Sequence, residues 1–261
     1  MRIVVLMENT ACRDGLAAEH GLSLYLEAGS HKILFDMGQS DAFADNAAKL
    51  GVDLGQVDLA VLSHGHYDHG GGLRRFLQIN GSAPVYVSPH AFGSHYNGKD
   101  KYIGLDRALE GHPRLVRSED GMEPGEGLCL RTYRDREPRF PVEPYGLQVM
   151  REGHLVPEEF RHEQYLLVRE EGKTVCISGC AHRGVLNIME WARPDVLVGG
   201  FHFRQLPVEA GGTLDHAARV LGSYPAVWYT GHCTGEAQLA YLQRQLGPRL
   251  RPLSTGMEIW V

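Results

Sequence analysis

Short apolar runs broken by turn residues fill the first third of the chain. Residues 2–7 (RIVVLM), 22–28 (LSLYLEA) and 32–37 (KILFDM) have strand length and strand composition, and the GSH between the last two predicts a hairpin. The period then changes. In SDAFADNAAKLG, Ser40 stands as N-cap, Phe43, Ala47 and Leu50 share one face, and Gly51 is the stop, which predicts a helix. VDLAVLS (57–63) reads as a buried strand, residues 73–77 as a helix, and APVYVS (83–88) as another strand.

From about residue 97 to 160 the patterning lapses, with Gly, Pro and charge scattered and no sustained period. This stretch is expected to be an irregular insert, either a lid over an active site or an ordinary surface excursion. Order returns with QYLLVRE and KTVCIS around EGK, a second hairpin, followed by a helix at 185–191. DVLVGG (195–200) and AVWYTG (226–231) read as strands flanking a helix at 214–221. A helix at 236–246 carries Leu239, Leu242 and Leu246, and MEIWV closes the chain as a strand. Hairpins mixed with strand–helix–strand units call for mixed rather than purely parallel sheets. The two halves look alike and no composition break marks a linker. The expectation is one α/β domain over residues 1–261, with two sheets face to face and helices outside.

Composition narrows the function. With 261 residues, 43% of them hydrophobic, the chain can bury a sizeable core. No apolar run approaches the roughly 18 residues of a membrane span, and the apolar run at the N-terminus is too short for a secretion signal. The net charge is −6, and the arginines of RTYRDREPRF are mixed with acids. No basic footprint for nucleic acid exists. Five cysteines at irregular spacing argue against a disulfide framework and for a reducing compartment. A cytoplasmic protein with a small-molecule substrate, and neither nucleic acid nor membrane as partner, is expected; the oligomeric state is not legible.

The chemistry concentrates in AVLSHGHYDHGGGL, residues 60–73. His64, His66, Asp68 and His69 follow a strand directly. Two histidines two apart can point the same way from an extended segment, while Asp68 and His69 belong to the following turn. One loop can therefore offer two ligands to each of two metal ions, with Gly65, Gly70, Gly71 and Gly72 letting the backbone come close. Three more histidines stand beside glycine at strand ends: His182 after Cys180 in SGCAHRG, His202 in GGFHF and His232 in GHCTG. His182 and His232 are the expected further ligands. His202 suits ligation and substrate contact equally.

With H-x-H-x-D-H in place, the sequence resembles the metallo-β-lactamase superfamily. AEHGLSLYLEAG, ILFDMGQSDAFADNAAKLGVDL, LSHGHYDHGGGL, SGCAHRGVLNI, GGFHF and GHCTG further resemble its dihydropterin–ribofuranosylaminobenzene-phosphate synthase-like branch, over residues 1–90 and 162–235. The resemblance implies a four-layer αββα sandwich. It implies His64, His66 and His182 around one ion, and Asp68, His69 and His232 around the other. Asp36 of FDMG would sit behind a ligand and fix its tautomer, and Glu19 and His20 would line the pocket. Two positions depart from the pattern. The superfamily's bridging Asp is replaced by Cys180, which either ligates as a thiolate or is a buried small side chain. His162 stands where the branch tends to have an acid, and is either an extra ligand or a surface residue, the surface reading being preferred.

Two divalent ions, zinc first and iron or manganese as alternatives, would activate a water for hydrolysis of an ester, phosphoester, lactone or amide. Asp68 could also orient the nucleophile or take a proton. No G-x-S-x-G elbow or phosphate-binding glycine loop competes. Two alternatives stay open: a pterin- or phosphoribosyl-type condensing synthase on the same metals, as the resemblance implies, and a metal-holding redox or sensor protein, suggested by Cys180 and Cys233.

Overall fold

The computed structural model describes all 261 residues. Its first large sheet has seven strands. In spatial order they are Glu258–Trp260, Arg2–Met7, Ser23–Ala28, His31–Phe35, Leu59–Val61, Val85–Val87 and Leu115–Arg117. The second has six: Leu250–Pro252, Val227–Thr230, Val196–Val198, Lys173–Ile177, Tyr165–Glu170 and Leu128–Arg131. Each sheet turns from antiparallel to parallel just after its central hairpin, at Phe35↔Val61 in one and Ile177↔Val198 in the other. The likeness of the two halves is thus a likeness of topology.

Three apolar clusters lie between the layers. Ile3, Val5, Leu24 and Phe35 of the first sheet meet Leu166, Val175, Ile177 and Val198 of the second. Helices Ala42–Lys49 and Leu73–Ile79 cover the first sheet's other face through Phe43, Ala47, Leu73 and Phe76. Helices Val185–Ala192, Thr213–Gly222 and Glu236–Leu246 cover the second through Ile188, Leu214, Leu221 and Leu242. Each such aliphatic side chain, fully buried, contributes about 1.5–3 kcal/mol. This is the αββα layering, and the fold is the mixed α/β sandwich expected.

Residues 97 to 160 depart from the expectation of irregularity. Leu115–Arg117 and Leu128–Arg131 extend the edges of the two large sheets. His95–Asn97, Lys101–Tyr102, Leu147–Arg151 and His154–Pro157 form a separate four-stranded antiparallel sheet. These strands are two to five residues long and mostly half-exposed, so no stretch is long enough for a period to show. The N-cap of the first helix also differs: it is Asp41, while the Ser40 hydroxyl accepts from the Ala42 N–H at 3.2 Å.

Candidate metal centre

The loop after strand Leu59–Val61 bends at His64 and Gly65, is extended at His66 and then makes a short helical turn, Tyr67–Gly70. The change of conformation inside the motif splits its ligands: His64 and His66 precede the helical turn, and Asp68 and His69 lie in it. Its glycines are required by close approach. A Cβ at Gly65 would lie 2.0 Å from the Ala91 carbonyl oxygen, and one at Gly71 2.2 Å from that of Gln39.

The second half supplies the rest from three strand ends. Cys180 and His182 follow Lys173–Ile177, His202 follows Val196–Val198, and His232 follows Val227–Thr230. The structure brings these side chains together in two buried groups, one of His64, His66 and His182 and one of Asp68, His69, Cys180 and His232. In the first, His64 Nε2 and His182 Nε2 are 3.3 Å apart. In the second, His69 Nε2 lies 3.1 Å from His232 Nε2 and 3.2 Å from Cys180 Sγ, and His232 Nε2 lies 3.2 Å from an Asp68 oxygen.

The outer nitrogens fix the tautomers. Asp36 Oδ2 accepts from His69 Nδ1 and from the Ser63 hydroxyl, both at 2.7 Å. Ser63 Oγ, its proton committed to Asp36, accepts from His64 Nδ1 at 2.8 Å. Asn9 Oδ1 accepts from His232 Nδ1 at 3.1 Å. His64, His69 and His232 therefore each turn an Nε2 lone pair inward. Lone pairs facing one another at 3.1 Å repel unless positive charge lies between them.

Burial, reinforced by the surrounding imidazoles, pushes His64, His66 and His182 well below the ordinary histidine value. It brings His232 down to about 4. Asp68 moves the other way from a buried acid: burial alone would raise it, but His69, His20 and His232 hold it well below the usual carboxylate range. His69 alone is pushed up, because the Asp36 and Asp68 carboxylates outweigh its burial and favour positive charge there. A divalent cation on these donors meets both demands, so the residues fit the metal that the fold implies.

The backbone is strained around this centre. Asp36 (φ 58°), Phe160 (φ 54°), Ala181 (φ 54°), His202 (φ 56°) and His232 (φ 48°) all lie in the left-handed region. Each costs on the order of 1–3 kcal/mol and persists only where its surroundings hold it. Glu8 Oε1 accepts from the His232 N–H at 2.5 Å, and Glu163 accepts from the His182 and Arg183 N–H groups at 2.7 and 2.9 Å.

A profile described as the metallo-β-lactamase superfamily matches residues 17–232. The chain belongs to the metallo-β-lactamase superfamily. Among solved structures it is similar to Tm1679, described as a metal-dependent hydrolase of the β-lactamase superfamily, with 30% identity, a TM-score of 0.82, and 100% of this chain and 99% of that one covered. Two relatives come from Methanocaldococcus jannaschii. MJ0448, an uncharacterized protein, is 28% identical over 93% of this chain and 94% of its own length. 7,8-Dihydropterin-6-methyl-4-(β-D-ribofuranosyl)-aminobenzene-5′-phosphate synthase is 27% identical over 84% and 82%. The resemblance to the synthase-like branch thus has a relative of that name behind it.

Asp36 stands behind His69, its Oδ2 2.7 Å from His69 Nδ1. His20 and His202 line a pocket of about 310 Å³ that opens over Asp68, Cys180 and His182. Glu19 does not line it; its carboxylate accepts from the N–H groups of Gln39 and Ser40 and from the Ser40 hydroxyl, stabilising the turn before the first helix. Cys180 Sγ is buried 3.2 Å from His69 Nε2. His162 is 1% exposed, which overturns the surface reading: the RHEQ segment dips under the ligand loop, and the Gly65 N–H donates to His162 Nδ1 at 2.8 Å. Asn9, Glu8, Glu163 and His95 were not singled out from the sequence, since none sits in a motif. The only trace of Glu8 and Asn9 was a polar pair directly after a strand.

Proposed function

We propose that the chain is a dinuclear metal-dependent hydrolase of a small molecule. One observation carries this reading: donors of both buried groups, His66 and His182 of one and Asp68 and Cys180 of the other, line a single open pocket. His64, His66 and His182 would hold one ion, and Asp68, His69, His232 and Cys180 the other. Such a pair of ions supplies an activated water and a Lewis acid for a carbonyl or phosphoryl oxygen.

The chain's own residues do the rest. Asp68 Oδ2, 3.3 Å from His20 Nε2, is placed to orient an attacking water or take its proton. The His20 side chain is 41% exposed and can pass that proton on towards solvent. His202, its imidazole brought down to about 4 chiefly by burial, is neutral at physiological pH and can hydrogen-bond a substrate oxygen. Lys101 and Arg204 line the same pocket and favour an anionic group on the substrate. The four-stranded sheet built from residues 95 to 157 forms part of the pocket wall, through Asn97 and Leu147.

A condensing synthase acting on pterin-like phosphorylated substrates is a second reading. The two pocket cations and the similarity to the dihydropterin synthase favour it. The first test is metal content by mass spectrometry on protein purified without added metal or chelator. Two zinc ions per chain are expected; a chain that arrives metal-free and cannot be reloaded would sink both readings. An assay of phosphoesters, lactones and dihydropterin substrates then separates them, because only the synthase forms product without net hydrolysis.

A further inference from the structure

His66 belongs to a third buried group, shared with His95 and His162, in which one nitrogen of each ring lies within 4.8 Å of the others. His95 and His162 line a depression of their own, distinct from the pocket over the metal donors. Nε2 of all three rings is buried without a hydrogen-bond partner. Three imidazoles this close suggest a cation site, but their tautomers exclude it. His95 Nδ1 meets the Glu158 carboxylate at 2.7 Å, which places its proton on Nδ1 and leaves Nε2 an acceptor. His162 Nδ1 accepts from the Gly65 N–H, so its proton is on Nε2, a donor. His66 Nε2 is turned into this group while the ring also lines the pocket over the metal donors, so ligation would fall to Nδ1 and leave the proton on Nε2. The group offers one lone pair and two N–H bonds, and a divalent ion needs lone pairs throughout.

We propose that Glu158, His95 and His162 are positioning residues for the metal ligand His66, acting through one buried water. That water accepts from His66 and His162 Nε2–H and donates to His95 Nε2, three bonds being usual for a buried water. Its remaining proton points towards Glu158, whose Oε2 is 3.8 Å from His162 Nε2. Glu158 is itself anchored, its Oε1 accepting from the N–H groups of Glu159 and Phe160 at 3.1 and 3.0 Å. The chain of contacts fixes the His66 tautomer from behind, as outer carboxylates do for metal-bound histidines. The inference rests on His66 being a ligand.

The test is zinc titration of the full chain and its Glu158→Gln and His95→Phe variants, with nitrogen-15 NMR of the imidazoles. Wild type should bind two ions and show Nε2–H at His66 and His162 and Nδ1–H at His95. Each variant should bind one of the two ions about ten- to a hundredfold more weakly, with a mixed tautomer at His66. A purely structural role would lower the melting temperature of the metal-free chain and leave the tautomer unmoved. Three ions in wild type, falling to two in His95→Phe, would overturn the proposal in favour of a cation site. Unchanged affinity and tautomer in Glu158→Gln would also overturn it, and if that variant fails to fold, any other wild-type tautomer pattern does so. His182→Ala separates the two readings: if it leaves zinc binding intact, the metal centre itself is misread, whereas a silent Glu158→Gln alone removes only the positioning role.

Discussion

The two donor groups sit side by side yet are built differently. Around His69 and His232 a carboxylate and a thiol join the imidazoles, and Asp36 stands behind. Around His64 and His182 all three donors are imidazoles, and a serine hydroxyl, not a carboxylate, backs His64. The first group carries a carboxylate whose charge favours a cation there; the second is neutral. Charge count sets affinity for a hard or borderline cation, so the two positions should fill in order, the Asp68 side first.

Removing the metal that the proposed centre would hold is the harshest way to probe this difference. Chelation should abolish hydrolysis and, against zinc about a hundredfold above the dissociation constant of each of two sites, lower the melting temperature by about 10–20 °C; activity surviving exhaustive chelation would end the comparison. Next in size are the single-group variants. Asp68→Ala and His182→Ala should each leave one ion per chain by mass spectrometry, the Asp68 variant with the greater loss of stability on zinc titration, and equal losses would show that charge does not distinguish the groups. Asp36→Asn keeps the volume but takes the acceptor from His69, and should weaken the Asp68-side ion about ten- to a hundredfold. A loss confined to the His64 side would mean that the Ser63 link, not the His69 link, transmits Asp36's effect.

Acid gives the mildest probe. His202 and His232 stay neutral in the fold down to about 4, against an ordinary value of 6.5. Between those values the unfolded chain binds protons that the folded chain does not, so stability must fall as pH falls through that window. Thermal melts of metal-free protein from pH 7 to pH 4 should show the decline, and a flat profile would mean that these imidazoles are solvated.

The legible part of this molecule was the part in which one segment carries its own pattern. Strand 2–7 and helix 236–246 were bounded as found, because their apolar periods run for a full element. The ligand loop was legible because its donors are neighbours in sequence. What lay hidden depends on distant pairings. His162 looked superficial since nothing near it in sequence reveals that Gly65, 97 residues away, donates to it. His95 was missed because its partner Glu158 lies 63 residues on, across a region of strands too short to read. Glu19 was assigned to the pocket by resemblance, but the N–H groups it serves belong to a turn.

No half of this chain can assemble the centre alone. His64, His66, Asp68 and His69 hang from one sheet, Cys180, His182 and His232 from the other, and Glu8 and Asn9 reach across to hold His232. An ion pair here would act as a rivet through the two sheets: binding it and closing the sandwich become one event, and heat-induced opening becomes a gauge of metal supply.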